Sequence, residues 1–367
     1  MKAIVLAAGF GKRLRPLTDY LPKALVPILG VPAIDHVLRR LHEYGVRQVG
    51  VNVHYRAEQI RSYLESDRWL ETGCLIRKEI KFRIHHEEQI LGTGGALDNF
   101  RDFLWGDEPF LVYNGDVVSD IDLACALHFH QARKALATLI LWDYPPINTV
   151  SLDREGNITS LFERPGGASL TSQSGRKTHS GFLTFTGISI LSPRILDYVP
   201  SGYCEMPAIY QQIIASEGVG KICGFRGKGS YWADFGTISS YLDVHRHLML
   251  LDHPQQTGQA LVDGHLHGEV ARRHDIGCVH RAGPGIVISS RAKLLGFVSI
   301  GAGCIIEDDV CLEDCVLWPE TRVLAGFKAR RAVVGKNFIC REEDQLLTTG
   351  QMDQPSHPTE DRNLEKR

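Results

Sequence analysis

Short apolar runs alternate with amphipathic segments over the first 145 residues of the chain. The run at residues 2–6 contains β-branched residues and ends near glycines, which is typical of a buried parallel strand. Between residues 32 and 45, apolar side chains recur at the spacing of one helix face: Ile34, Val37, Leu38 and Leu41. Comparable patterns predict strands at 48–53, 81–85, 110–113 and 137–142, and helices at 57–64, 95–104 and 123–134. This alternation predicts an α/β fold with a Rossmann-like, mainly parallel sheet covered on both faces.

A different period begins near residue 288, where large apolar residues recur at every sixth position. The series comprises Ile288, Leu294, Ile300, Ile306, Leu312, Trp318 and Leu324. A second, small or apolar position holds Ala292, Val298, Cys304, Val310 and Val316. A hexapeptide period is typical of a parallel β-helix whose triangular coils take about 18 residues each. The repeats therefore predict a little over two coils, and an ordinary β-meander does not account for so many positions in phase.

These two patterns divide the 367-residue chain into predicted parts. We expect an α/β domain at residues 1–250, a linker at 251–260 and a β-helix domain at 261–340. Residues 341–367 are polar, charged and nearly free of aromatic side chains, which predicts a disordered tail.

Composition and charge exclude several classes of function. The formal net charge is −2, from 41 Lys and Arg against 43 Asp and Glu, so no global attraction favours nucleic acid or an anionic membrane. No apolar stretch reaches the roughly 18 residues of a membrane span, and the first predicted strand leaves no room for a signal peptide. The nine cysteines follow no repeating spacing, which suits reduced thiols. We therefore expect a cytoplasmic protein.

The first predicted strand leads into a glycine-rich segment at residues 6–18. Glycines at the carboxyl end of a parallel strand let backbone N–H groups approach phosphate oxygens, and Lys12 and Arg13 add two cations. A Walker A loop would need glycine at Leu6 and Ser or Thr at Arg13, and a dinucleotide fingerprint would need glycine at Leu14. The segment predicts a different kind of nucleotide-phosphate cradle, while a plain glycine-rich turn with surface cations is the simpler alternative.

Two aspartates are candidates for a metal site. Asp116 follows the apolar strand at 110–113, on the same rim of the sheet as the glycine-rich segment. Asp234 lies far downstream, between tryptophan and glycine, just before a predicted helix. Mg²⁺ takes few carboxylates and completes its octahedron with water and phosphate oxygens. The pair therefore predicts a Mg²⁺ site beside a polyphosphate, although an isolated Asn-Gly-Asp sequence is more often a turn.

The motifs and their order resemble those of the sugar-1-phosphate nucleotidyltransferases, the family that makes nucleoside-diphosphate sugars. The family's glycine-rich loop and Pro–Lys pair match residues 6–18 and 22–23. Further matches follow at residues 91–96, 114–116, 162–165, 185–188 and 232–237. They keep the family's order across about 240 residues of the chain.

The resemblance implies that a sugar 1-phosphate oxygen attacks the α-phosphorus of a nucleoside triphosphate and expels pyrophosphate. It implies that Arg13 grips the leaving phosphates, that Lys23 lies between the α-phosphate and the sugar phosphate, and that Asp116 and Asp234 bind Mg²⁺. Arg13, Lys23 and Asp116 are thus the expected catalytic residues. The expected nucleotide-binding residues are Leu6, Ala7, Ala8, Gly9, Gly11, Lys12, Arg13, Gly92, Thr93 and Gly94.

Contacts with the sugar phosphate are expected from Lys23, Glu163, Arg164, Thr186 and Gly187. Arg164 stands where the family has lysine, and a planar guanidinium grips phosphate with a different geometry from an ammonium group. The Tyr-Gly-Val segment that many members carry after the strand at 137–142 is also missing. The sugar pocket is therefore the least transferable part of the resemblance.

The resemblance leaves the substrates open. The domain layout and residues 91–96 resemble mannose-1-phosphate guanylyltransferases, so GTP and mannose 1-phosphate are the first expectation. Ala8 and the missing Tyr-Gly-Val segment resemble uridylyltransferases, including those that act on N-acetylmuramate 1-phosphate. A catalytically silent regulatory subunit is disfavoured by the intact charged residues, and an acyltransferase by the absence of histidine at 286–340.

The hexapeptide repeats resemble the left-handed β-helix that follows the catalytic domain in many members of this family. A short solenoid has open edges and apolar ends, which are commonly buried on the catalytic domain or on another subunit. We therefore expect a homo-oligomer.

Overall fold

The computed structural model describes residues 1–66, 78–161, 182–229, 231–250, 270–273 and 278–344. The predicted linker at 251–260, most of the predicted tail, and Glu163 and Arg164 lie outside these ranges.

The described N-terminal part alternates strands and helices. Its helices are α1 (Leu17–Tyr20), α2 (Ala33–Glu43), α3 (Ala57–Glu65), α4 (Gly92–Asp98), α5 (Arg101–Leu104), α6 (Leu123–Arg133), α7 (Met206–Glu217) and α8 (Ile238–Leu250). Its strands are β1 (Lys2–Leu6), β2 (Pro27–Ile28), β3 (Val31–Pro32), β4 (Gln48–Val53), β5 (Lys81–His86), β6 (Phe110–Asn114), β7 (Val117–Ser119), β8 (Ala137–Trp142), β9 (Ser151–Leu152), β10 (Ile158–Ser160), β11 (Thr184–Leu191), β12 (Ile222–Arg226) and β13 (Trp232–Asp234). Short 3-10 turns cover Lys12–Leu14 and Lys23–Leu25.

Seven strands form a central sheet in the order β12-β8-β11-β6-β1-β4-β5. All neighbours pair in parallel except β11, which runs antiparallel to β6 and β8. Ala3, Ile4 and Val5 are completely buried, because helices cover both faces of the sheet at β1. The predicted α/β fold with a mainly parallel sheet is therefore confirmed.

Most predicted elements agree with the structure to within one or two residues, as at β4 and β8. The helix predicted at 95–104 is wrong in its bounds. The structure has α4 beginning at Gly92 and a separate α5, with a break where the Phe100 N–H donates to the Leu97 carbonyl at 3.0 Å. This i→i−3 hydrogen bond tightens the last turn of α4, so that the chain changes direction and Phe100 packs in the hydrophobic core.

The described C-terminal part consists of strands. They are β14 (Val270–Arg273), β15 (Cys278–Ala282), β16 (Val287–Ile288), β17 (Lys293–Ile300), β18 (Ile305–Ile306), β19 (Cys311–Leu317), β20 (Arg322–Val323), β21 (Lys328–Arg330), β22 (Ala332–Gly335) and β23 (Phe338–Arg341). Successive passes pair in parallel, with partners such as Lys293 and Cys311 or Val316 and Val333. The chain thus returns to the same sheet after each 17 or 18 residues, while β14 and β23 pair antiparallel at its edges.

The hexapeptide pattern holds for the middle of this part and fails at its end. Ile300, Ile306, Leu312 and Trp318 are buried, but Leu324 is 63% exposed and Val323 takes the inward position at 3%. The cause is a pass of 17 residues, which pairs Ile306 with Val323. The left-handed winding and the domain bounds at 250 and 261 remain predictions.

Candidate functional site

The carboxyl ends of β1, β4 and β6 meet at one edge of the central sheet. Leu6 is in register with Asn52 on one side and with Asn114 on the other. A cavity of about 250 Å³ opens at this edge, where ligands bind in open α/β sheets. Predicted site residues that line it are Leu6, Ala7, Ala8, Gly9, Lys23, Gly92, Thr93 and Asp116.

The glycine-rich segment folds back on itself beyond the cavity. Gly11 has a φ of +62°, and its carbonyl accepts from the Thr18 hydroxyl at 3.0 Å. A Cβ at Gly11 would lie 2.7 Å from Thr18 Cγ2, so both conformation and space require glycine there. Leu14 is fully buried, whereas Lys12 and Arg13 are exposed. The buried Leu14 side chain therefore anchors a loop that carries two exposed cationic residues.

A chain of hydrogen bonds joins this loop to the next one. The Ala7 N–H donates to Asn52 Oδ1 at 2.9 Å, and Asn52 Nδ2 donates to Glu87 Oε1 at 2.8 Å. Glu87 Oε2 then accepts from the Leu91 N–H at 3.1 Å. Sequence reasoning did not single out Asn52 or Glu87, although an asparagine near the end of the apolar strand β4 was a usable signal. Together they set the spacing between the two loops that line the cavity.

The first turn of α4, which begins at Gly92 directly after Leu91, packs tightly against residues 202–206. Cβ atoms at Gly92 and Gly94 would lie 2.5 Å from Cys204 atoms, and the Gly94 N–H donates to the Cys204 carbonyl at 2.9 Å. The Thr93 hydroxyl donates to Glu205 Oε2 at 2.8 Å, and its N–H donates to the same oxygen at 3.1 Å. The structure thus places the Glu205 carboxylate in the cavity, which the sequence did not suggest. The Thr93 hydroxyl, expected to bind nucleotide, donates to this carboxylate instead.

Lys23, Asp116 and Asp234 form a charged cluster at the rim. Lys23 Nζ makes an ion pair with Asp116 Oδ2 and lies 5.2 Å from the centre of the Phe235 ring. β7 and β13 pair antiparallel with Asp234 opposite Val117, which brings the second carboxylate beside Asp116. Burial raises the pKa of Asp234, and the negative charge of Asp116 raises it further.

Arg13 lies near the same cluster. Its guanidinium lies close to Gly236, where a Cβ would come within 3.0 Å of a terminal nitrogen. Its positive charge also lowers the pKa of Asp234, which opposes the effects of burial and Asp116. The four charged residues expected from the sequence are therefore close together, although they come from positions as distant as 13 and 234.

The donor set of this cluster fits a hard divalent cation. Two carboxylates stand side by side, and the pKa of Asp234 is raised by burial and then by the negative charge of Asp116, which a bound cation would compensate. Within the described residues, no group of three or more His, Cys, Asp or Glu side chains could hold a metal. A cation held by Asp116 and Asp234 would therefore take its remaining ligands from water and phosphate, as Mg²⁺ commonly does.

The predicted sugar-phosphate residues are brought together only in part. Gly187 has a φ of +78° and packs against Asn114, where a Cβ would lie 2.5 Å from Nδ2. The Thr186 hydroxyl faces inward and donates to the Ile140 carbonyl at 2.7 Å, and the Thr186 carbonyl accepts from Trp232 Nε1 at 2.9 Å. Thr186 thus supports the strand rather than presenting its side chain to the cavity.

The chain is similar in sequence to several known proteins. The Nucleotidyl transferase family matches residues 2–249. The UTP–glucose-1-phosphate uridylyltransferase of Synechocystis sp. is 28% identical over 345 residues, which cover 89% of this chain and 85% of that protein. The probable mannose-1-phosphate guanylyltransferase 2 of Arabidopsis thaliana is 31% identical over 362 residues, 93% of each chain. The mannose-1-phosphate guanylyltransferase of Mycobacterium tuberculosis is 28% identical, covering 88% of this chain and 81% of that protein.

Two solved structures share the fold. HddC from Yersinia pseudotuberculosis, complexed with GMP-PN, has a TM-score of 0.52 at 20% identity, covering 67% of this chain and 98% of that one. A putative glucose-1-phosphate thymidylyltransferase from Bacillus anthracis, in complex with a sucrose, has a TM-score of 0.54 at 22% identity, covering 70% and 98%. In the described part of the chain, no helix is both long enough and apolar enough to span a membrane.

The family match covers the whole α/β part, including the glycine-rich loop and both aspartates. The relatives extend the similarity into the C-terminal strands. The chain therefore belongs to the nucleotidyl transferase family, among the sugar-1-phosphate nucleotidyltransferases, as its motifs predicted.

Proposed function

We propose that this enzyme transfers GMP from GTP to mannose 1-phosphate. A phosphate oxygen of mannose 1-phosphate forms a bond to the α-phosphorus of GTP. The bond from that phosphorus to the α–β bridging oxygen breaks, and pyrophosphate leaves with the electron pair. The nucleophile is already ionised at neutral pH, so the reaction needs no general base. The cluster of Lys23, Asp116 and Asp234 at the mouth of the cavity is the observation that carries this proposal.

The protein's contribution is to position the phosphates and neutralise their charge. Lys23 lines the cavity and would hold the two reacting phosphates together against their mutual repulsion. Arg13 is exposed beyond the loop and would bind the departing pyrophosphate. Backbone N–H groups around Gly9 and Gly11 would donate to the triphosphate. Held by Asp116 and Asp234, Mg²⁺ would supply further positive charge beside the α-phosphate.

The acidic lining of the cavity favours guanine over uracil. Glu205 is partly open to the cavity, and Thr93 and Tyr203 hold its carboxylate in place. Guanine presents adjacent N1–H and N2 amino donors, which a carboxylate can accept together. Uracil flanks its single N3–H with two carbonyl oxygens, which a carboxylate repels. We therefore propose that Glu205 selects the base.

The proposal that the sugar is mannose is supported by the similarity to named relatives. Proteins from Arabidopsis thaliana and Mycobacterium tuberculosis that match most of this chain are named mannose-1-phosphate guanylyltransferases. The Synechocystis relative is named for UTP and glucose 1-phosphate, which makes uridylyl transfer the second candidate.

A pyrophosphate-release screen tests the proposal directly. The four NTPs are combined with a panel of sugar 1-phosphates and Mg²⁺, and D116A gives the background. We expect the highest turnover with GTP and mannose 1-phosphate. A higher rate with UTP and glucose 1-phosphate or N-acetylmuramate 1-phosphate would correct the substrates and leave the transfer intact. No pair above the D116A background would defeat the enzyme assignment.

The variant E205Q tests base selection. An amide presents an N–H₂ donor where the carboxylate only accepts, so we expect the KM for GTP to rise about ten-fold, which corresponds to about 1.4 kcal/mol. The KM for UTP should stay the same or fall. E217Q is the matched control, because Glu205 directly precedes helix α7 whereas Glu217 ends it, accepts from Tyr198 and does not line the cavity. Equal effects of E205Q on both nucleotides would remove Glu205 from base selection.

A further inference from the structure

One hydrophobic cluster joins the candidate site to the C-terminal strands. It contains Leu14, Val26, Val118 and Phe235, one from each of the four segments that carry a charged residue of the site. From the C-terminal part it contains Phe297 and Trp318, which are 3% and 7% exposed. The strands that follow the α/β part therefore pack directly behind the charged cluster.

Tyr241 lies at the centre of this contact. It is fully buried in α8, and its hydroxyl donates to the Pro27 carbonyl at 2.5 Å. The same hydroxyl accepts from Trp318 Nε1 at 3.1 Å. One hydroxyl thus satisfies a carbonyl from the N-terminal loops and an indole N–H from the C-terminal strands.

Tyr241 is hydrogen-bonded to both segments that carry the charged residues Lys23 and Asp234. Pro27 follows the 3-10 turn Lys23–Leu25, in which the Val26 N–H donates to the Lys23 carbonyl at 3.2 Å. On the other side, the Tyr241 N–H donates to the Thr237 carbonyl at 2.9 Å, in the turn that follows Asp234. The Tyr241 hydroxyl therefore holds the lysine segment against the aspartate segment.

We propose that Trp318 and Tyr241 are positioning residues for nucleotidyl transfer. Trp318 fixes the Tyr241 hydroxyl, which in turn sets the distance between Lys23 and Asp234. The C-terminal strands are then a structural part of the active site, beyond any role in assembly. This inference rests on the proposed function, because its kinetic consequence is a rate of transfer.

A second contact supports the same arrangement at the glycine-rich loop. The ring of Tyr20, at the end of α1, stacks on Phe338 with centroids 4.7 Å apart. Phe338 in turn packs edge-on against Trp318 at 5.0 Å. The loop that carries Arg13 is therefore braced by the same C-terminal aromatic pair.

The variants Y241F and W318F test the link. Each removes a polar group and keeps an aromatic ring in the core. We expect kcat to fall about ten-fold in each, because a small misplacement of reacting groups is costly, while KM for both substrates changes less than two-fold. The double variant should be no slower than Y241F, since both changes act through one hydroxyl.

Y210F is the matched control. Tyr210 is 3% exposed, its hydroxyl bonds to Ser189, and its ring packs in a different cluster. Y210F should lower Tm about as much as Y241F and leave kcat unchanged. Hydrogen exchange of the Leu25 and Val26 amides gives a readout that needs no activity, and it should be several-fold faster in Y241F than in Y210F or the wild type.

A Y241F enzyme with kcat within two-fold of the wild type and unchanged amide exchange would overturn the inference. If the wild type transfers no nucleotide in the substrate screen, the proposed function fails by itself. The amide exchange then still decides whether Tyr241 restrains the lysine segment.

Discussion

Two carboxylates and one ammonium group meet at the rim of the sheet, and their balance of charge is the main electrostatic feature of the site. Asp116 has a direct ion pair with Lys23, while Asp234 is more confined by burial and faces Asp116. Ionised Asp234 is therefore costly in the free protein. The arrangement therefore favours binding of a cation beside the two carboxylates.

D234N should stabilise the free protein and abolish its activity. Because burial and Asp116 raise the pKa of Asp234, the ionised carboxylate costs stability, and this cost grows as pH rises from the unfolded-state pKa through the folded-state pKa. We expect a higher Tm for D234N at pH 7 without metal, a smaller Tm increase on adding Mg²⁺, and at least a hundred-fold loss of kcat. Scanning fluorimetry and pyrophosphate release measure these effects.

The control for D234N is D243N. Asp243 is exposed and lies 3.4 Å from Arg331, so the loss of its charge should leave turnover unchanged and should not raise Tm. A lower Tm for D234N, with the same response to Mg²⁺ as the wild type, would show that Asp234 does not face uncompensated negative charge.

His130 should make stability depend on pH. Its ring is buried with Nδ1 3.0 Å from Thr138 Oγ1, and burial lowers its pKa to about 4. Its contribution is therefore fully present above pH about 6.5 and is lost as pH falls towards 4, about 2 kcal/mol of it by pH 5. We expect H130Q to flatten the unfolding free energy between pH 6.5 and 5, as measured by urea denaturation.

His128 provides the matched control on the same helix. It is exposed, so H128Q should keep the acid sensitivity of the wild type. The same slope in H130Q and H128Q would mean that other groups carry the acid response.

At the scale of elements, the glycine-rich loop depends on one left-handed residue. G11A should lower kcat/KM for the nucleotide about ten-fold and also lower Tm, because it combines a φ of +62° with a Cβ 2.7 Å from Thr18 Cγ2. The double variant G11A/T18S removes that methyl group, keeps the hydroxyl bond to residue 11, and should regain part of the activity. Steady-state kinetics with GTP measure both effects.

G30A separates strain from site geometry. Gly30 has a φ of +80° in the β2–β3 turn, and a Cβ there would meet nothing within 4 Å. G30A should lower Tm through backbone strain alone, by an amount worth about 1 kcal/mol or more, and keep kcat/KM. An equal loss of activity in both glycine variants would argue against a special role for the loop.

For the whole molecule, we expect one cooperative unfolding transition. The shared cluster that contains Leu14, Phe235 and Trp318 gives the two described parts a common core, so neither can unfold without exposing apolar surface of the other. Calorimetry, far-UV circular dichroism and tryptophan fluorescence should report the same midpoint. Two separated transitions would show that the parts are energetically independent.

The sequence by itself determined the α/β class, the family and the charged residues of the candidate site. These follow from local information: apolar runs of strand length, glycines at a strand end, and aspartates directly after strands. Parallel strands bring their carboxyl ends to one edge, so the glycine-rich segment and Asp116 could be placed together without coordinates, whereas Lys23 joined them only through the family resemblance. The expected Mg²⁺ and the site roles stay predictions that the geometry supports.

Only the tertiary structure decided which polar residues shape the cavity and what supports them. Asn52, Glu87 and Glu205 reach the cavity through contacts between distant segments. No local pattern marks a carboxylate that accepts from Thr93, 112 residues away. The six-residue period likewise could not show that Val323 replaces Leu324, because one shortened pass shifts the register. The hydrogen bond between Tyr241 and Trp318 could not be predicted from local sequence either. These side chains are 77 positions apart and meet only because the α/β part and the C-terminal strands share one hydrophobic cluster.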